Sequence, residues 1–147
     1  MAFDVLAVVT TSAKVRIAEM METGKSFKVT HFAISSDGHD PLDPTTARTP
    51  DPAETDCGSV IFTKAFVSGD VTYTSPTCPT WACNIVAGDI TGSVSQICLI
   101  GTVEYCPTPG DPECVAPNTE FVVSIGTFPL KVITIHDSLT INVSIQF

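Results

Sequence analysis

The last ten residues, Ser138-Leu139-Thr140-Ile141-Asn142-Val143-Ser144-Ile145-Gln146-Phe147, decide the fold class. Leu139, Ile141, Val143, Ile145 and Phe147 alternate with Ser138, Thr140, Asn142, Ser144 and Gln146, a period of two that gives a strand one apolar and one polar face. A terminal strand keeps its order only when it is paired, so this segment is predicted to lie inside a sheet. The Asn142 to Ser144 sequon falls within it, an improbable site for a glycan.

Working back along the chain, β-prone runs alternate with turn clusters. Thr119 to Phe128 and Leu130 to Ile135 read as strands, with Pro129 as a bulge or edge break. Ser95 to Tyr105, Cys83 to Ala87, Val71 to Thr74 and Val60 to Val67 follow in reverse order, separated by Gly88 to Gly92 and Gly69-Asp70. Pro107, Pro109, Gly110 and Pro112 mark a surface loop. Phe27 to Ser35 carries apolar residues at both parities, which predicts cover on both faces.

One helix is predicted, from Ser12 to Thr23. Ala13, Ile17, Met20 and Met21 form its apolar stripe, with the methionines as core filling. Thr11 or Ser12 serves as its cap and Gly24 as its left-handed stop. The expected architecture is therefore mainly β: an antiparallel β-sandwich with one N-terminal α-helix and a long Pro-rich loop. At 147 residues the chain suits a single domain, with the helix at about 12–23, the loop at about 36–56 and the β-rich part over 57–147.

The loop is where periodicity stops. Between Ser36 and Asp56 stand four prolines and six carboxylates, with Leu42 the one large aliphatic residue. Prolines fix φ and remove donors, which excludes a central strand or a stable helix. A segment with so little core of its own must bury against something to repay its ordering entropy. Asp37, His39, Asp40, Pro41, Leu42, Pro44, Pro50 and Pro52 are accordingly the expected partner-contact residues.

The net charge of −9 argues against nucleic acid and anionic membrane as partners. Charged residues make up only 16%, low for a solitary domain, and point to a surface partly covered by other subunits. Six cysteines sit beside an N-terminus, Met1 to Val9, that lacks the basic region and long apolar core of an export signal. That pairing suits a protein made inside a cell and later working outside it. Six cysteines allow fifteen pairings. The least strained set is Cys78–Cys83 and Cys106–Cys114, at roughly 2–3 kcal/mol each, with Cys57–Cys98 at about 4 kcal/mol. Cys57, directly after the loop, is also a candidate for an intermolecular bridge or a free thiol.

Chemistry has few footholds. His136 beside Asp137 lacks a nucleophile elbow, and His31 reads as a packed strand residue. Asp37, His39, Asp40 and Asp43 cluster hard ligands, but the position where a calcium loop wants Glu is Arg48, so the loop reads as a solvated acidic segment. The absence of a Cys-x-x-Cys pair argues against zinc. Trp81 is expected to anchor a disulfide-braced loop. No catalytic residue, cofactor, metal or small-molecule substrate is expected.

Lys28-Val29-Thr30-His31-Phe32-Ala33-Ile34, preceded by a helix and followed by Asp37-Gly38-His39-Asp40-Pro41 and Thr49-Pro50-Asp51-Pro52, resembles the "LTHFAVGDG"-like start of tailed-bacteriophage tail-collar and tail-fibre-like structural proteins. Ser93 to Ile100 is similar to their "ISEIGLF" stretch, with Gln96 and Cys98 replacing Glu and Gly. Phe128 to Val132 and Asn142 to Phe147 also resemble such modules. The resemblance implies a virion building block that contacts copies of itself and other virion proteins. Many members continue into a fibre shaft, so a chain that stops at Phe147 is expected to lack a receptor-binding tip; the cysteines depart from the family pattern and suggest reinforcement of the particle. The alternative is a disulfide-braced adhesion or carbohydrate-binding β-sandwich, marked by an exposed aromatic patch around Trp81.

Overall fold

The computed structural model describes residues 1–75, 78–114 and 119–145, leaving aside the side chains at 73–75 and 114. The chain is mainly β. One strand, β1 (Ala2–Val9), leads into α1 (Thr11–Thr23), the one α-helix among the described residues, and the other strands follow: β2 (Ser26–Ser35), β3 (His39–Asp40), β4 (Asp43–Ala47), β5 (Val60–Ala65), β6 (Val71–Ser75), β7 (Cys78–Ile85), β8 (Gly92–Tyr105), β9 (Glu120–Ile133) and β10 (Leu139–Ile145).

Eight strands join one sheet in the order β5-β2-β8-β9-β1-β10-β7-β6. The mainly β fold expected from the sequence is observed, as a large curled sheet that is mixed and not purely antiparallel. The cause lies in the first nine residues, whose role as a strand the sequence reading missed. Ala2 to Ala7 pair in parallel with Thr140 to Ile145 of β10, while Val8 and Val9 pair antiparallel with Ile125 and Ser124 of β9. One strand thus belongs to both halves of the sheet and joins them. Gly126 sits at that corner because a Cβ there would lie 2.5 Å from Cγ1 of Val5.

The halves share one inner core. Val5, Ala7 and Val9 of β1 meet Phe32, Ile34, Ile97 and Leu99 from one side and Cys83, Ile85, Ile141, Val143 and Ile145 from the other. The alternation in β10 is observed as predicted over 139–145, with every odd residue buried; Gln146 and Phe147 lie outside the described residues. β10 sits inside the sheet, between β1 and β7. Trp81 belongs to β7 and is only 9% exposed. It is a core residue of a strand, not the anchor of a loop. Pro129 falls where β9 has extra residues between the pairs Val94↔Lys131 and Gln96↔Thr127, the bulge expected of a residue without an N–H.

The helix forms where expected but packs differently. Its cap is Thr10, whose buried hydroxyl accepts the Ala13 N–H at 3.1 Å and donates to the Val122 carbonyl at 2.6 Å. Gly24 closes it in the left-handed region, φ 76°, donating to the Met20 carbonyl. Ala13 is its buried residue, whereas Met21 is 86% exposed and Met20 also reaches the surface, so the methionines do not fill the core. Polar and cation–π contacts hold the helix instead. Arg16 lies 4.1 Å from the centroid of Phe121 and pairs with Glu113 at 3.1 Å. Lys25, just past the cap, pairs with Asp111 at 2.9 Å and Glu113 at 2.8 Å. Among the described residues no helix is long and apolar enough to cross a membrane.

Candidate functional site

Residues 36–58 form an arm across the outer face of the half-sheet β5-β2-β8-β9. Where a continuous extended loop was expected, the structure has a small hairpin, β3 paired with β4, flanked by irregular chain. The hairpin begins where Gly38 donates to the Ser95 hydroxyl at 2.8 Å and His39 Nδ1 lies 3.0 Å from the same oxygen. Gly38 is needed here because a Cβ would collide with the Ser95 carbonyl.

Arg48 organises the arm. Its Nη1 and Nη2 donate to the two carboxylate oxygens of Glu54 at 2.6 and 2.9 Å, a bidentate pair. Its Nε donates to the Asp37 carbonyl at 2.6 Å, and Nη2 also reaches Oε1 of Gln96 at 2.5 Å. The backbone joins in: Arg48 N donates to the Gly38 carbonyl at 2.9 Å, and the Thr127 hydroxyl donates to the Arg48 carbonyl at 2.6 Å. Hydrogen bonds from Arg48 hold the Glu54 carboxyl below its ordinary value, against a smaller opposing effect of burial. The buried Gln96 then donates from Nε2 to the Cys57 carbonyl at 2.9 Å. Its amide is satisfied at both ends, as a buried amide requires.

A disulfide completes the attachment. Cys57 is bonded to Cys98 of β8, their Cα atoms 6.0 Å apart. The bridge and Ala33, Ile100, Val122 and Ile125 form a second, smaller apolar cluster between arm and sheet. This pairing is the one expected for Cys57 within the set of three, and it overturns the reading of Cys57 as an intermolecular bridge or free thiol. The Cys78–Cys83 bridge is not formed. Both residues lie on β7 at opposite parity, so they point to opposite faces of an extended chain, well beyond the ~7 Å Cα limit of a disulfide. Cys83 is a buried free thiol whose pKa burial pushes up, which keeps it protonated and unreactive. Cys106 is disulfide-bonded; the side chain of Cys114, and with it the expected Cys106–Cys114 pairing, lies outside the described residues.

The expected partner-contact residues divide into two groups. At the base, Asp37 accepts the Ser59 N–H at 2.6 Å, His39 meets Ser95, and the Pro52 carbonyl accepts the Thr11 N–H at 2.8 Å. Pro50 is half-buried beside them. These intrachain bonds correct the expectation that the whole arm depends on neighbours for its shape. At the tip, Pro41 and Pro44 are exposed and Leu42 is 95% exposed. Asp40 accepts the Leu42 N–H at 2.9 Å, and Asp43 accepts from the Thr45 hydroxyl at 2.6 Å and the Thr46 hydroxyl at 2.8 Å, bonds that hold its carboxyl below the usual range. The tip is thus shaped by its own side chains and presents one bare leucine.

Ser95, Gln96, Glu54 and Thr127 were not singled out as arm ligands by sequence. Arg48, the lone cation in the acidic stretch, was the available signal. Among the described residues no group of His, Cys, Asp and Glu is arranged to hold a metal ion. Asn142 of the sequon donates to Asp4 at 3.1 Å across the β1–β10 pair. Beside the arm, an open groove of about 270 Å³ runs between Thr55–Cys57 and a floor of Ala33, Ile100 and Val122. His31 Nε2 lies 3.8 Å from Glu120 at its margin. No family model, curated protein or solved structure matches this chain.

Proposed function

We propose that this protein is a non-enzymatic structural subunit of a bacteriophage virion, a neck, collar or tail-fibre-attachment component that assembles with copies of itself and with other virion proteins. The observation that carries the reading is the arm tip: a hairpin whose carboxylates are tied to their own backbone and hydroxyls, holding out a leucine that is 95% exposed. A side chain presented on a pre-ordered turn loses little entropy on docking, which is what an assembly contact needs. The small share of charged residues and the resemblance of the strand at Lys28 to Ile34 to tail-collar proteins support the same reading. The adhesion alternative needs an exposed aromatic patch at Trp81, and that ring is in the core.

Light scattering and negative-stain microscopy of the purified chain at rising concentration test the proposal. Defined oligomers or stacked rings are expected, and Leu42→Asp is expected to return the protein to monomer with its circular dichroism unchanged. A wild-type chain that stays monomeric, alone and with the other virion proteins of its phage, overturns it.

A further inference from the structure

We propose that the Cys57–Cys98 bridge is a redox latch for the arm: with the bridge formed, the stretch from Arg48 to Gly58 is clamped over the sheet, and with it reduced, that stretch comes free while the sheet remains folded. This rests on the reading above only in that a clamped arm is what would fix the tip for docking.

Three observations carry it. The bridge ties the end of the arm to the middle of β8, and the other ties converge on the same point, since Gln96 links the Cys57 carbonyl to the Arg48 guanidinium. Apart from the two cysteines, the apolar surface beneath is four residues, Ala33, Ile100, Val122 and Ile125. So small a cluster offers little burial against the entropy of ordering the strap. The sheet, by contrast, has its own core on the inner face, built from residues of its strands, of α1 and of the β7–β8 turn (Ile90), with none from the arm. Finally, Cys57 is buried to 4% exposure but lines the open groove, whereas Cys98 is wholly buried, so the groove gives an attacking thiol its approach on the Cys57 side of the bridge.

The chemistry is thiol–disulfide exchange with a small dithiol. Its thiolate bonds to the Cys57 sulfur and breaks the bond to Cys98, which leaves as a thiolate and takes a proton. The second thiol of the reductant then closes its own disulfide and releases Cys57. Two electrons pass from dithiol to cystine, and a small-molecule disulfide as oxidant runs the exchange backwards and sets the latch.

Trypsin reads the state of the strap, because Arg48-Thr49 is a cleavable bond whose arginine is held by Glu54, Gln96 and Asp37. Treatment of the purified chain with dithiothreitol is expected to speed cleavage after Arg48 at least tenfold, with cleavage after Lys28 and Lys131 in the sheet unchanged. A C57S/C98S double variant is expected to show the same fast cleavage without reductant, which assigns the effect to this bridge and not to the disulfide of Cys106. Unchanged cleavage after Arg48 in both overturns the latch. So does a parallel rise at Lys28 and Lys131, which would make the bridge a brace for the whole fold. The assay is made on the isolated chain, so a working latch in a protein that never assembles would remove the proposed function and leave this inference standing.

Discussion

Strands β8 and β10 belong to one sheet and bury themselves in different ways. In β10 the odd residues from Leu139 to Ile145 face the core while Thr140, Asn142 and Ser144 stay partly exposed on the outer face. In β8 everything from Val94 to Gly101 is buried. The inner faces are alike; the outer faces are not, because the arm lies over β8 and nothing in the described chain lies over β10. The cover itself is mostly polar, held by a guanidinium, an amide and a disulfide. An outer sheet face therefore becomes interior here through a strap fixed by a few directed bonds.

The comparison can be broken most severely from the inside. Leu99 is fully buried on the inner face of β8, as Ile141 is on β10. Leu99→Ala and Ile141→Ala are each expected to cost about 2–5 kcal/mol, the range for emptying a packed aliphatic site. Equal losses in urea titrations would show that the halves share one core, and a loss confined to Leu99 would show that they do not.

The outer faces should separate where the inner ones agree. Ile100 of β8 contributes to the cluster under the arm, so Ile100→Ser is expected to cost roughly 1.5–3 kcal/mol, the value of burying such a side chain. Asn142→Ser at the outer face of β10 is expected to fall within about 0.5 kcal/mol of wild type, since it gives up one exposed bond to Asp4. Similar costs at both positions would mean that the arm does not seal β8.

How much of this could be read in advance follows the same division. β10 was plain because one buried face imprints a period of two on the sequence. Phe27 to Ser35 gave up its two-sided cover through mixed parity, but what supplied the cover was hidden, since Arg48 finds Gln96, and Cys57 finds Cys98, only across some forty residues of chain. β1 was missed for a related reason. Val5 to Val9 is too short an apolar run to declare its type, and its partner β10 lies at the far end of the chain. The methionines of α1 misled because the stripe meets the core only near the start of the helix. Ala13 is buried there, whereas Met20 and Met21, a turn or two further on, reach the surface. The base of the arm was legible as a long loop with prolines; its self-sufficiency was not, because the bonds that confer it are made by single residues.

The smallest expected effect concerns the strap alone, and it has a definite sign. Arg48 holds the Glu54 carboxyl below its ordinary 4.5 in the folded chain, so the pair adds stability above that pH and loses it as pH falls through the folded value. Glu54→Gln removes the titrating group and keeps an acceptor for Arg48. The stability gap between wild type and Glu54→Gln should therefore be widest near neutrality and should close below pH 4.5, the other depressed carboxyls, Asp43, Asp111 and Asp137, cancelling because both proteins carry them. Hydrogen exchange should place the same acid loss at residues 48–56 and spare β10. A gap that stays constant down to pH 3, or an acid loss spread evenly over both halves, would mean that the strap is held by its disulfide and amide without help from the ion pair.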